Sequence, residues 1–224
     1  MIYIAPSILA ADYAALGADV RKVPNADLLH VDIMDGHFVP NLSFGPDVTK
    51  AVDGVTDQFL DMHLMIEAPE RWFETYANAG GDRLVFHVEA TTNHIAAAQQ
   101  CHNLGVQAGF AIKPGTNIEP YLDDLEHFDE VLVMSVEPGF GGQKFMPEVL
   151  CKVMMLRDRI AADGLQTLIG IDGGIASATI AQAAQAGVDA FVAGSAVFGA
   201  DDPGQAVEVL RQLALEAAGE QAGV

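Results

Sequence analysis

Eight short β-like runs alternate with helix-like segments from one end of the chain to the other, and few folds can absorb that rhythm. The runs are IYIAPSIL (2–9), ADLLHVDIM (26–34), TDQFLDMHLM (56–65), DRLVFHVEA (82–90), VQAGFAIK (106–113), DEVLVMSVE (129–137), QTLIGID (166–172) and VDAFVAG (188–194). Helical segments are expected at 10–23, 68–80, 93–105, 146–164, 176–187 and 203–218, with weaker ones after the second and fifth runs. Gly80, Gly105, Gly164 and Gly187 stand where helices should stop. Eight β-α units with no linker or low-complexity break point to the α/β class and a closed (β/α)8 barrel. The domain expected is a single one over 1–224, with residues 214–224 a frayed tail. An open doubly wound sheet is the alternative, but it would carry a glycine fingerprint after its first strand. Here the first strand leads into SILAAD, which has none.

The chain has 224 residues, half of them hydrophobic, enough for one substantial core. Mean hydropathy is slightly positive, which argues against disorder. No apolar run approaches the roughly 20 residues that span a bilayer. The start, MIYIAPSILAAD, lacks a basic leader and cleavage pattern. Cys101 and Cys151 are far apart without metal-ligand spacing, which fits a reducing cytoplasm. Net charge is −20 with only 11 Lys plus Arg, so nucleic acid and anionic membranes are repelled. The expected partner is a small molecule, and an anionic one needs a locally positive site.

In a barrel, function sits at the carboxyl ends of the strands. Side chains alternate faces along a strand, so His30, Asp32 and Met34 share one face of the second strand. Asp61, His63 and Met65 share a face of the third, and the seventh ends in Asp172 before Gly173 and Gly174. Taken singly, each His or Asp is as readily a side-chain-to-backbone cap as a ligand. Converging from three strands with matched parity, His30, Asp32, His63 and Asp172 make a mixed N/O site for Zn, Mn, Fe or Co. The metal would offset the cost of burying the carboxylates. Asp35 and Gly36 read as turn formers, and His37 as structural.

Glycine-rich turns follow the last three strands: PGFGGQ (138–143), DGG (172–174) and GSAVFG (194–199). Such turns present backbone N–H groups that favour an anion, and a phosphate site near the loops after strands seven and eight recurs in this barrel. Backbone dipoles would then hold a phosphate without lysines. Met34, Met65 and Met134 at strand ends read as core filler in isolation. Lys113 ends the fifth strand, where it would either form a Schiff base or snorkel to solvent. His87 and Glu89 share a face and read as supports of the ligands or as an alternative acid–base pair.

These residues closely resemble the ribulose-phosphate 3-epimerase family. The matching motifs are APSILAAD (5–12), HVDIMDGHFVPN (30–41), DMHLM (61–65), FHVEA (86–90), MSVEPGFGGQ (134–143), IDGG (171–174) and VAGSAVF (192–198). The resemblance implies a TIM barrel of the ribulose-phosphate-binding type that interconverts D-ribulose 5-phosphate and D-xylulose 5-phosphate in the pentose phosphate pathway. It implies one divalent metal per subunit on His30, Asp32, His63 and Asp172, with Asp32 and Asp172 doubling as the acid–base pair. It places Ser7, His63 and the three methionines against the substrate. It gives the phosphate side to Gly139, Phe140, Gly141, Gly142, Gly173, Gly174, Gly194 and Ser195, and it suggests a homo-oligomer. The chain departs from the family pattern at Gly170, where glutamate is expected, and in a compact connection at 22–30. An epimerase of a six-carbon ketose phosphate such as allulose 6-phosphate, a Schiff-base aldolase and a non-catalytic binding barrel are the competing readings.

Overall fold

The computed structural model describes residues 1–221, the last two by backbone alone. All eight expected strands form, shorter than their apolar runs. They are β1 Tyr3–Pro6, β2 Leu28–Met34, β3 Phe59–Met65, β4 Arg83–His87, β5 Gln107–Ile112, β6 Glu130–Met134, β7 Leu168–Asp172 and β8 Ala190–Ala193. Every pairing is parallel, in the order β1-β8-β7-β6-β5-β4-β3-β2. A parallel bridge between Ser7 and His30 brings β1 back to β2 and closes the barrel.

Strand parity divides the core. Val31, Ile33, Leu60, Met62, Leu64, Val131, Val133, Ile169 and Ile171 face outward into the layer beneath the helices. A smaller interior cluster contains Ala5, Leu28, Val85, Ala111, Leu132, Met134 and Val192. Strands buried on both faces need this nearly continuous apolar character.

The helices are α1 Leu16–Val20, α2 Pro46–Asp53, α3 Phe73–Asn78, α4 His94–Asn103, α5 Leu150–Asp163, α6 Ile180–Ala186, α7 Ser195–Phe198 and α8 Pro203–Gln221. Several are shorter than their periodic stretches. The expected helix at 10–23 begins as 3-10 turns, because the side chains of Ser7 and Asp12 accept the N–H groups of Leu9 and Ala14. The weak segment after β5 is a 3-10 stretch, Glu119–His127. α7 lies inside what reads as a glycine loop in the sequence. Gly164 and Gly187 end α5 and α6 with φ of 65° and 106°, a left-handed region that costs a Cβ-bearing residue.

The expected fraying from residue 214 is corrected. α8 continues to Gln221, and its Ala214 and Ala217 are buried against the core. Small residues at that spacing let the helix lie close to its neighbours, so burial overrides the weak polar pattern of the tail. Residues 222–224 lie outside the described residues. Among the described residues, no helix is long and apolar enough to cross a membrane.

Candidate active site

The parallel register of β2 and β3 opposes His30 to Asp61, Asp32 to His63 and Met34 to Met65. Two ligand-type residues therefore stack on each strand, pointing into the barrel near its carboxyl end. β7 ends beside them, with Asp172 paired to Met134 of β6. His63 Nδ1 lies 3.3 Å from His30 Nε2, 3.0 Å from Asp32 Oδ1 and 3.6 Å from Asp172 Oδ2. One ligand atom from each of these four residues lies within 4.8 Å of the others.

The surrounding hydrogen bonds fix which nitrogens face the cluster. Asp61 Oδ2 lies 2.8 Å from His30 Nδ1. Asp61 is itself held below the usual carboxylate range: burial pushes it up, but Arg83 and His30 outweigh that. An ionised carboxylate only accepts, so His30 carries its proton on Nδ1 and turns Nε2 inward. On the other side, His63 Nε2 lies 2.9 Å from His87 Nε2, and His87 Nδ1 lies 3.2 Å from Glu89 Oε2. Burial pushes His87 down to about 4, so it is neutral at pH 7. Its single proton goes from Nδ1 to Glu89, and its Nε2 accepts from His63. His63 is thereby left with a lone pair on Nδ1.

Two imidazole lone pairs and two carboxylates then converge on one point, a donor set that fits a divalent cation. The same electrostatics act on His30. Burial alone would lower its pKa, yet Asp32 and Asp61 raise it well above the ordinary value, so without a metal a proton occupies Nε2, and a bound cation would take that proton's place.

The two acids differ. Asp32 is held ionised: burial opposes this, but His30 and His63 outweigh burial. Ser7 Oγ donates to Asp32 Oδ2 at 2.6 Å. Asp172 is pushed up to about 6, first by burial and then by the charge of Asp32. Two carboxylates near one point cannot ionise with equal ease, and here their surroundings decide which gives way.

Above this floor opens a cavity of about 590 Å³. It is lined by Ser7, Asp32, Met34, Met65, Met134 and Asp172, and by Gly139, Phe140, Gly141, Gly142, Gly173, Gly174, Gly194 and Ser195. Gly173 and Gly174 have φ of 122° and 64°. A Cβ on the first would lie 2.6 Å from Val136 Cγ2, and on the second 2.6 Å from the Phe145 backbone N, so only glycine fits the turn. At the far wall Gly194 caps α7, and the N–H groups of Ser195 and Ala196 precede its first bond, from Val197 N to Gly194 O.

The Ribulose-phosphate 3 epimerase family matches residues 3–198. The chain belongs to that family. It is 57% identical over 211 residues to ribulose-phosphate 3-epimerase of Mycobacterium bovis, covering 94% of this chain and 92% of that one. The Bacillus subtilis ribulose-phosphate 3-epimerase is 43% identical over 214 residues, covering 94% and 99%. Among solved structures, KGPDC from Streptococcus mutans aligns with a TM-score of 0.73 at 14% identity, covering 97% of this chain and 99% of that one. The 3-hexulose-6-phosphate synthase from Salmonella typhimurium aligns with 0.69 at 18%, covering 96% and 100%. At those identities the structures speak to the barrel alone.

Within this ribulose-phosphate 3-epimerase family member, His30, Asp32, His63 and Asp172 come together as parity predicts, in a group that could hold a metal ion. His63, expected both as a ligand and against the substrate, is fully buried and is not among the residues lining the cavity. Its Nε2 donates to His87, and its Nδ1 faces Asp32 Oδ1 and His30 Nε2. His87 and Glu89 support His63. Lys113 Nζ instead sits 4.0 Å above the Phe38 ring. His37 is exposed, and Asp35 Oδ1 accepts the N–H groups of His37 and Phe38, as a turn former should.

Sequence reasoning missed Tyr13, Asn41 and Gln143, which also line the cavity. Asn41 Nδ2 donates to Gly139 O at 2.8 Å, and Gln143 Nε2 donates to Glu137 O and Phe140 O. These amides brace the glycine loop, and their place inside VPN and GGQ was the available signal. It also missed Arg83 and Glu130 beneath the site, and gave Asp61 a face but no role, although DRLVF and DEVLV put charge at inward-facing strand starts.

Proposed function

We propose that this chain interconverts D-ribulose 5-phosphate and D-xylulose 5-phosphate by proton transfer at carbon 3. The observation that carries this is the unequal pair Asp32 and Asp172, converging on one point from strands separated by β1 and β8. The family membership and the relatives' names support the substrate.

The proton on carbon 3 is α to a ketone but too weakly acidic for a carboxylate in water. Asp32, held ionised, takes it from one face. Asp172, with its raised proton affinity, returns a proton to the other, and carbon 3 is inverted. In the reverse direction the roles exchange. A divalent ion on His30, Asp32, His63 and Asp172 supplies Lewis acidity for the charge that develops on the substrate oxygens. Zn, Fe, Mn and Co all suit that donor set, one ion per subunit. Met34, Met65 and Met134 keep water from the reacting carbon with an adaptable apolar surface.

The loops Pro138–Gln143 and Gly173–Gly174, with Gly194 and Ser195, take the phosphate through backbone N–H groups and fix the distance to carbon 3. Ser7 holds Asp32 and contacts the substrate hydroxyls. The chain acts as a homo-oligomer: Leu42 and Trp72 expose apolar surface around a shallow groove, and light scattering would give the number.

The test is proton exchange. Chelator-stripped protein is given ribulose 5-phosphate in heavy water, and carbon-3 deuteration and xylulose 5-phosphate are followed by NMR with and without divalent metal. Metal-dependent exchange with epimer formation is expected. Exchange at full rate without metal would overturn the role given to the four ligands. Turnover of allulose 6-phosphate alone would reassign the substrate.

A further inference from the structure

Below the four ligands the barrel holds a charged layer that neither proton transfer nor phosphate binding uses. Arg83, at the start of β4, lies with Nε 2.8 Å from Asp61 Oδ1 on β3 and 3.0 Å from Glu130 Oε2 on β6. All three side chains are at most 2% exposed. The intervening strand offers only Gly109 at this level, paired with Glu130, so no side chain separates them. The guanidinium lies 5.3 Å from the centre of the Phe59 ring. Burying such a triad costs several kcal/mol per ion, and apolar replacement is often neutral or stabilising. Packing alone therefore gives it no purpose.

Two contacts do. Asp61 uses Oδ1 for Arg83 and Oδ2 for His30 Nδ1, so the guanidinium sets the rotation of the carboxylate that orients the imidazole. Glu130, in turn, fits only because β7 carries Gly170 in the adjacent inward position. A Cβ there would lie 2.4 Å from Glu130 Oε1 and 2.9 Å from Leu132 Cδ1. The glutamate expected at 170 is absent, and a carboxylate from the neighbouring strand fills its space.

We propose that Glu130, Arg83 and Asp61 form a positioning relay for His30. Glu130 faces Arg83 as an ion-pair partner without a hydrogen bond, because the single Nε–H goes to Asp61; Arg83 holds Asp61, and Asp61 fixes the ring plane and tautomer that turn Nε2 toward His63 Nδ1 and Asp32 Oδ1. None of the three lines the cavity. The relay rests on the reading of His30, Asp32, His63 and Asp172 as a metal site.

The test measures Co(II) and Zn(II) affinity of stripped protein by competition with a chromophoric chelator, together with the Co(II) visible spectrum and the melting temperature of the metal-free protein. The double variant Arg83→Met/Glu130→Leu removes both charges together. It leaves Asp61 buried beside His30 without its cation, so its melting temperature should fall, and the folded protein should bind metal about 10–100-fold more weakly, the usual cost of losing a ligand's hydrogen-bond support. Its Co(II) spectrum should change. Arg83→Lys keeps the charge without the planar fork, and should weaken metal binding in the same direction even if the double variant fails to fold. Glu130→Leu/Gly170→Glu moves the carboxylate one strand across and should return affinity to the parent's. Parental affinity and spectrum in folded Arg83→Lys and in the double variant would overturn the relay and leave the layer as packing. A parent that binds no metal would overturn the metal reading itself, a distinguishable failure.

Discussion

Gly170 and Glu130 should behave as one unit in stability, and a double-mutant cycle can measure it. In Gly170→Ala the new Cβ would lie 2.4 Å from Glu130 Oε1 and 3.2 Å from its Cδ. Those are well inside van der Waals contact, and the glutamate cannot swing away freely because it is buried against Arg83. Overpacking of this kind costs about 1–3 kcal/mol. Gly170 does not have positive φ, so alanine also recovers about 0.4–1 kcal/mol by restricting the unfolded chain. The net expectation is a loss of up to about 2.6 kcal/mol, at about 2–4 °C in Tm per kcal/mol for a chain of this size. In a Glu130→Ala background the overlap with the glutamate is gone, and the remaining 2.9 Å approach to Leu132 Cδ1 is relieved by that flexible side chain turning into the vacated space. There Gly170→Ala should be neutral or stabilising. Urea denaturation of the four metal-free proteins gives the coupling. Equal effects of Gly170→Ala in both backgrounds, within about 0.5 kcal/mol, would show that the two positions do not share one space.

Asp32→Asn and Asp172→Asn should each reduce turnover by about 10²–10⁴-fold or more with the fold intact by circular dichroism, since each removes a proton-transfer group; near-normal rates in either would end the two-base scheme. Asn41→Ala frees the carbonyl of Gly139 from its amide partner. It should raise KM roughly 2–10-fold with little change in kcat, corresponding to the loss of about one hydrogen bond. Glu130 is pushed up from 4.5 to about 7 by burial, against the pull of Arg83. The folded state therefore holds a proton between those values that the unfolded state has released. Its contribution is fully present below about pH 4.5 and is lost as pH rises through about 7, and Glu130→Gln should flatten that slope of ΔG against pH. Borohydride with substrate should trap no adduct, because Lys113 sits on Phe38 and does not line the cavity; a mass increase at Lys113 would reopen the aldolase reading.

The parts legible in the sequence are those governed by periodicity. Alternation with period two put His30 with Asp32 and Asp61 with His63, and a parallel barrel can only bring such faces inward together. Glycines announced the ends of α5 and α6 and the turn at Gly173–Gly174, because a residue with a Cβ adopts their positive φ only at a cost. What escaped depends on register between strands distant in sequence. Nothing local to DRLVF says that Arg83 will meet Asp61 and Glu130. That follows only once β3, β4, β5 and β6 are aligned with Gly109 in the gap. Gly170 shows the same limit. Read along β7 it is a missing glutamate and a weakness near Asp172. Read across to β6 it is the space that admits Glu130, whose carboxylate stands where a side chain at 170 would begin. The tail misled for a related reason. Ala214 and Ala217 carry little signal in a window of ALEAAGEQAGV, yet their small size is what lets α8 close against the barrel. A residue's meaning in this fold is set first by the face it occupies and then by what the neighbouring strand leaves empty, and only the first of these is written in the local sequence.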